Sequence, residues 1–190
     1  VDGAGGVLKV VPANIQTFQI NFEAFEQLIC EKTAAVIIDS PNNPTGVVYT
    51  EQTLRRLAEI LEAKQREFGH PIYLLSDEPY REIVFSGFSV PYVPKYYENT
   101  LVCYSFSKSL SIPGQRLGYV IVAENCAHRD ELLPMFSQIS RFTGHDSTSV
   151  LIQLATAKTI GQTADLSVYE RNKSLLYPAL RQMGYECVEP

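Results

Sequence analysis

Short apolar runs alternate with segments of helical spacing along much of the chain, and this alternation restricts the possible folds. The runs lie at residues 34–39, 72–75, 101–104 and 119–122, and a further short strand is predicted at 6–11. Continuous runs of Val, Ile, Leu and Tyr are typical of strands covered on both faces. Asn21 is placed to cap a helix through Ile29, and Thr50 to cap a long amphipathic helix that stops at Gly69. We therefore predict a three-layer α/β/α fold around a mostly parallel sheet.

After Ala123 the pattern predicts helices only. Apolar residues at helical spacing occupy 127–142, 147–160 and 164–183, and the last segment is long enough to act as a connecting rod. Proline removes a backbone donor and clashes with the preceding turn of a helix. We therefore expect Pro178 to kink or break this helix near Tyr177.

Composition excludes several classes of protein. The 190 residues are 45% hydrophobic and 19% charged, with a formal net charge of −5, which suits one domain with a substantial core. Lys and Arg are scattered, whereas a nucleic-acid backbone requires a concentrated basic face. No apolar run approaches the roughly 20 residues that span a bilayer, and no signal peptide is visible. We expect no nucleic-acid or membrane partner and a cytoplasmic location.

The cysteines and histidines do not form a recognisable metal or disulfide pattern. The four cysteines lie far apart without a Cys-x-x-Cys pair, and His70, His128 and His145 are isolated from one another. We interpret the cysteines as reduced packing residues and predict no metal site.

The most informative motif surrounds Lys108. This lysine follows an apolar strand, and small hydroxylated residues, two glycines and Arg116 lie beside it, in the sequence Tyr104-Ser-Phe-Ser-Lys-Ser-Leu-Ser-Ile-Pro-Gly-Gln-Arg-Leu-Gly118. A lysine amine can hold an aldehyde cofactor covalently, while hydroxyls and a guanidinium can hold a phosphate. Two further segments lie upstream, each after an apolar run: Ser40-Pro-Asn-Asn-Pro-Thr-Gly46 and Ser76-Asp-Glu-Pro-Tyr80.

Together these three segments, in this order, resemble the motifs of the pyridoxal 5′-phosphate aminotransferases of fold type I, the aspartate aminotransferase superfamily. The resemblance covers essentially the whole chain. It implies a pyridoxal-phosphate enzyme that exchanges an amino group between an α-amino acid and a 2-oxo acid. It also implies a homodimer whose active sites lie at the subunit interface.

The resemblance assigns three catalytic residues. Asp77 corresponds to the carboxylate that keeps the cofactor ring nitrogen protonated, since an opposite charge at close range favours the charged form. Lys108 corresponds to the lysine that bonds the cofactor aldehyde and then moves a proton to and from the substrate α-carbon. Tyr80 corresponds to a donor to the phenolic oxygen of the ring.

The remaining cofactor-binding residues are assigned in the same way. Asn43 joins Tyr80 at the phenolic oxygen and is preferred over Asn42, because the family motif begins immediately before the proline. Ser105, Ser107 and Arg116 correspond to the phosphate site, and Gly114 and Gly118 allow close backbone approach there.

Each motif also has an ordinary structural explanation. Asn-Pro-Thr-Gly is a good turn sequence, and a carboxylate after a strand can cap a turn. Most lysines lie on the surface, and a strand-end arginine can form a salt bridge.

We expect residues 1–184 to form a cofactor-binding large domain with its connecting helix, incomplete at its N-terminus, and 185–190 to begin a small domain. The resemblance implies that a glycine-rich phosphate loop, a ring-stacking aromatic residue and a carboxylate-binding arginine lie outside this sequence. One alternative function is a carbon–sulfur β-lyase or related β-eliminating enzyme. Another is a regulatory binding module that keeps the fold without turnover. The amino donor and acceptor stay open.

Overall fold

A computed structural model describes residues 1–145 and 147–190, and a four-stranded sheet organises the chain. Its strands are β1 (Ala35–Asp39), β2 (Tyr73–Asp77), β3 (Thr100–Ser105) and β4 (Gly118–Val122), adjacent in that order. The pairs β1–β2 and β2–β3 are parallel, whereas β4 runs antiparallel to β3. The prediction of an α/β fold with a mostly parallel sheet is confirmed.

Six α-helices accompany the sheet in the described ranges. They are α1 (Phe22–Leu28), α2 (Glu51–Phe68), α3 (Phe106–Ser109), α4 (Arg129–Phe142), α5 (Val150–Ala157) and α6 (Ser167–Gln182). The predicted caps are present: the side chain of Asn21 accepts from the Ala24 amide, and that of Thr50 from the Thr53 amide. Helix α2 ends at Gly69, whose φ of 75° is a left-handed conformation that glycine adopts at little cost.

Apolar residues pack on both faces of the sheet. On one face, Leu57 and Leu61 of α2 form a buried cluster with Leu74 of β2. On the other face, Leu132 and Phe136 of α4 and Leu75 of β2 pack against a buried cluster that contains Leu101 and Val122. Successive side chains of a strand point to opposite faces, so α2 and α4 cover opposite sides of β2. This arrangement gives the three layers expected from the sequence.

Three details differ from the sequence-based expectations. Residues 6–11 form no strand, and they are mostly exposed without a neighbouring strand to pair with. No α-helix separates β2 from β3; residues 78–99, all of which are described, hold turns and one 3₁₀ turn, Val93–Lys95. Helix α6 continues through Pro178, so the chain does not break near Tyr177, and a kink at that position stays a prediction. A proline inside a helix can bend it without ending it.

None of the helices in the described ranges has the length and apolar character needed to cross a membrane. In the same ranges, no group of three or more His, Cys, Asp or Glu side chains could hold a metal ion.

Candidate active site

The three sequence motifs meet at one edge of the sheet. Strands β1, β2 and β3 are parallel, so their carboxyl ends lie at the same edge, with Asp39 in register with Asp77 and Asp77 with Cys103. Strand β4 is antiparallel and begins there, because Gly118 pairs with Ser105. Loops at the carboxyl edge of a parallel sheet are the usual place for ligands in α/β proteins.

Three of the predicted residues, one from each motif, form a contiguous cluster at this edge. The Asn43 amide nitrogen, Nδ2, donates to the hydroxyl oxygen of Tyr80 at 2.9 Å. The Lys108 amine, Nζ, lies 5.6 Å from the centre of the Tyr80 ring, which is within the range of a cation–π contact. The fold therefore places a lysine amine, a phenol and an amide side by side, although Asn43 and Tyr80 are 37 residues apart in the sequence.

The loop that presents Asn43 is held by its neighbour Asn42. The Asn42 amide donates to a carboxylate oxygen of Asp39 at 3.0 Å. Its carbonyl oxygen accepts from the backbone amide and the hydroxyl of Thr45, at 3.2 and 2.7 Å. Asn42 thus closes the turn from inside, while the side chain of Asn43 reaches Tyr80 across the site.

Asp77 ends β2 with its side chain exposed at the sheet edge. Partial burial of its carboxyl group nevertheless raises its pKa. In the described ranges its carboxylate has no hydrogen-bond or ion-pair partner. A carboxylate with this environment favours a cationic ligand, because the cation would offset the desolvation of the negative charge.

Asp39 lies beside Asp77 on the neighbouring strand. Burial raises the pKa of Asp39, the backbone amide of Asn43 partly offsets that rise, and the negative charge of Asp77 adds to it. One of its oxygens bonds Asn42, while the other is buried without a hydrogen-bond partner in the described ranges. The edge of the sheet therefore brings two carboxyl groups together, at the ends of β1 and β2.

The raised pKa of Asp39 gives stability a pH dependence of definite sign. A carboxyl group whose pKa is higher in the folded state contributes stability that is present below its unfolded pKa and is lost as the pH rises through the folded pKa. Asparagine has no such proton to lose. We therefore compare the free energies of unfolding of Asp39→Asn and of the unchanged protein. The difference should shift in favour of Asp39→Asn as the pH rises from about 4 to about 7.

Urea unfolding of the cofactor-free protein at several pH values measures this difference. Asp2→Asn, at an exposed position near the start of the chain, is the matched control and should show a smaller change. Parallel stability curves for Asp39→Asn and the unchanged protein would contradict the expectation.

The turn that presents Tyr80 is fixed by a buried ion pair that the motif comparison did not single out. The side chain of Glu78 is only 1% exposed and accepts from Arg81 at 2.5 Å and from the Ser76 hydroxyl at 2.8 Å. Arg81 also donates to the carbonyl oxygen of Val90 at 3.1 Å. The only signal in the sequence was two opposite charges three residues apart, a spacing that also describes many exposed pairs.

Ser105 and Ser107 lie at the start of α3, next to Lys108. The Ser105 hydroxyl oxygen accepts from the Ser107 amide at 3.1 Å and donates to the Ser107 hydroxyl at 2.7 Å. Ser105 therefore caps the turn that carries Lys108. These two hydroxyls are brought together, as the motif predicted, and both are half-buried.

Arg116 lies at the same edge but does not contact the two serines. Its guanidinium donates to the carbonyl oxygen of Pro113 at 2.9 Å, and its backbone has a left-handed φ of 53°. The Phe106 amide donates to the carbonyl oxygen of Leu117 at 3.1 Å, which fixes the segment of Arg116 beside that of Lys108. The assignment of Arg116 to a phosphate site stays a prediction.

The pairing of β3 with β4 requires a glycine at position 118. A Cβ atom at Gly118 would lie 2.4 Å from the carbonyl oxygen of Tyr104, whereas one at Gly114 would meet nothing within 4 Å. We therefore expect Gly118→Ala to lower the free energy of unfolding by about 1–3 kcal/mol, because the backbone of β3 must shift. Gly114→Ala is the control and should change it by less than about 0.5 kcal/mol. Urea unfolding measures both variants, and equal stabilities would refute the close approach.

Comparison with known proteins now identifies the family. The family model for aminotransferase class I and II matches residues 1–190. The chain belongs to this family.

Individual relatives agree with that assignment. The chain is 32% identical to an aspartate aminotransferase of Thermotoga maritima, covering 98% of this chain and 48% of the relative. It is 29% identical to aromatic-amino-acid aminotransferase 2 of Thermococcus litoralis, with the same coverage of both chains. An aminotransferase crystal structure from Eubacterium rectale matches all of this chain with a TM-score of 0.96 and 47% identity, over 48% of its own length. The chain thus spans about half the length of these relatives.

Proposed function

We propose that this chain forms the cofactor-binding part of a pyridoxal-phosphate aminotransferase that moves an amino group between an α-amino acid and a 2-oxo acid. The supporting observation is the cluster of Asn43, Tyr80 and Lys108 at the same sheet edge as a carboxylate, Asp77, that has no partner in the described ranges. Residues 1–184 form the large domain with its connecting helix in this proposal, and 185–190 begin the small domain. The relatives, about twice as long, support this division.

The chemistry of the residues at the sheet edge fits pyridoxal phosphate. Such a cofactor presents an aldehyde, a phenolic oxygen, a ring nitrogen and a phosphate. The site offers an amine, two neutral donors, a carboxylate without a partner, and two hydroxyls with an arginine on the adjoining segment. When bound, the cofactor supplies an electron sink for the bonds at the substrate α-carbon.

Asn43 and Tyr80 are already oriented to bind one oxygen together. The amide of Asn43 has two hydrogens, of which one is donated to the Tyr80 hydroxyl. Tyr80 accepts that bond and keeps its own proton available. Both side chains can therefore donate to the phenolic oxygen of the cofactor without breaking the bond between them.

Asp77 and Lys108 have the remaining chemical roles. Asp77 binds the protonated ring nitrogen, because its carboxylate is partly desolvated and lacks another counter-ion in the described ranges. Lys108 would hold the aldehyde group through its amine, and the same amine would carry a proton to or from the substrate α-carbon. Ser105, Ser107 and Arg116 bind the phosphate.

We further propose a homodimer in a reducing compartment, the cytoplasm. Three large apolar residues of α5 support a partner surface: Val150, Leu151 and Leu154 are 69%, 74% and 61% exposed. All four cysteines are free thiols, which supports the compartment.

The test is a product assay on the protein that contains this chain. An aminotransferase converts amino donors only when a 2-oxo acid is present, and forms one new amino acid for each donor consumed. A β-lyase releases pyruvate and ammonia from cysteine-type substrates without a 2-oxo acid. A binding module forms the cofactor adduct but no product. Pyruvate release without an acceptor, or an adduct without turnover, would overturn the proposal.

A further inference from the structure

A hydrogen-bonded group of three side chains lies directly behind the candidate site. The Tyr104 side chain of β3 is 8% exposed, and its hydroxyl lies 2.8 Å from a carboxylate oxygen of Glu82 and 2.8 Å from the Ser109 hydroxyl. A carboxylate can only accept, so the single proton of Tyr104 is donated to Glu82. The hydroxyl of Ser109, which is 2% exposed, therefore donates to Tyr104.

These three residues connect the two segments that present the candidate catalytic groups. Glu82 follows Tyr80 by two residues, in a turn closed by the bond from the Ile83 amide to the Tyr80 carbonyl oxygen at 2.8 Å. Ser109 follows Lys108 directly and ends α3. The bonds to Tyr104 thus join the turn of Tyr80 to the helix of Lys108 across 27 residues of sequence, counted from Glu82 to Ser109 (109 − 82).

The ring of Tyr104 is itself fixed in direction. It stacks on Tyr119 with a centroid distance of 4.9 Å and an interplanar angle of 24°, and it meets the edge of Phe106 at 5.2 Å. Such contacts hold an aromatic ring in one orientation, so its hydroxyl has a fixed place. Burial raises the pKa of Tyr104 to about 12, so the proton donated to Glu82 is retained at neutral pH.

We propose that Glu82, Tyr104 and Ser109 form a positioning group that fixes the Lys108 amine relative to the Tyr80 hydroxyl. None of the three has to touch the cofactor for this role. They act because two short segments are bonded to the same phenol. The inference rests on the proposed function of Lys108 and Tyr80.

The test compares Tyr104→Phe with Tyr119→Phe. Each variant loses one hydroxyl and keeps its ring, but in the described ranges the Tyr119 hydroxyl forms no hydrogen bond. A displacement of about 1 Å can cost a hundredfold in rate, so we expect Tyr104→Phe to slow attachment of pyridoxal phosphate to Lys108, and to lower kcat, about tenfold or more. The KM for the amino donor should change little. Tyr119→Phe should change each quantity by less than about twofold.

A second measurement on cofactor-free protein separates positioning from general loss of stability. Amide hydrogen exchange should accelerate in both residues 79–83 and residues 106–110 of Tyr104→Phe, while α2 keeps its protection. In addition, Glu82→Ala should reproduce the kinetic effect, and the double variant should be no slower than either single variant, because both remove one connection. Glu82→Gln keeps an oxygen that accepts from Tyr104, so its rate of cofactor attachment and its kcat should be close to those of the unchanged protein.

The outcomes distinguish the two proposals. If the unchanged protein forms no covalent adduct with pyridoxal phosphate, the proposed function is wrong and the positioning role fails with it. If the unchanged protein and Tyr104→Phe attach the cofactor equally fast and have equal kcat, the positioning role alone is wrong. If the losses of kcat in Tyr104→Phe and Glu82→Ala add up in the double variant, the two residues do not act through one connection, and the positioning role is wrong.

Discussion

Lys108→Ala is expected to abolish both covalent attachment of pyridoxal phosphate and amino transfer. Lys108 is the lysine that the fold places beside Tyr80, with its amine 5.6 Å from the ring centre. Alanine removes the amine that bonds the aldehyde and the base that moves the proton, so kcat should fall by at least about 10⁴-fold. The substitution shortens an exposed side chain and should leave the free energy of unfolding within about 0.5 kcal/mol of the unchanged protein.

Two other lysines provide the matched controls. Lys95 ends the 3₁₀ turn before β3, and Lys158 follows α5. Lys95→Ala and Lys158→Ala should retain the cofactor absorbance and most of the activity. A fully active Lys108→Ala variant, or loss of the adduct in either control, would show that another lysine holds the cofactor.

Asp77→Asn is expected to give the second largest loss. Asparagine keeps the shape of the side chain but removes the charge that favours a protonated ring nitrogen. Loss of that electrostatic stabilisation should lower kcat about 10²- to 10³-fold. Because burial raises the pKa of Asp77, removing its charge should not destabilise the cofactor-free fold.

A variant of the neighbouring Asp39 tests whether the loss of kcat is specific to the Asp77 carboxylate. Asp39 is bonded to Asn42 and lies one strand away, so Asp39→Asn should reduce kcat much less than Asp77→Asn. Steady-state kinetics give kcat, and ¹⁵N NMR of cofactor labelled at the ring nitrogen reports its protonation. A ring nitrogen that stays protonated in Asp77→Asn, with nearly unchanged kcat, would contradict the assigned role.

The sequence predicted the elements of the fold more closely than their arrangement. The apolar runs located all four strands to within two residues at either end, and the caps at Asn21 and Thr50 located the first two helices. The antiparallel direction of β4 was not predicted, because strand direction depends on the path of the connecting segment. The prediction of a strand at 6–11 was wrong for a related reason. A strand requires a neighbouring strand to pair with, and the local sequence does not reveal one.

The same distinction applies to the site. Three motifs at the ends of apolar runs were enough to predict that Asn43, Tyr80 and Lys108 meet, because parallel strands bring their carboxyl ends together. The supporting contacts were not predictable. Glu78 and Arg81, or Glu82 and Tyr104, are common residue types whose pairing depends on how the chain folds back on itself.

The central claim is that Lys108 is the residue that bonds the cofactor, and one measurement tests it directly. The protein that contains this chain, without substitutions, is incubated with pyridoxal phosphate, reduced with borohydride to fix any imine bond, digested and analysed by mass spectrometry. We expect a single modified peptide, with the reduced cofactor on Lys108. A reduced cofactor on Lys95, Lys158 or any other lysine instead, or no modified peptide at all, would contradict the account.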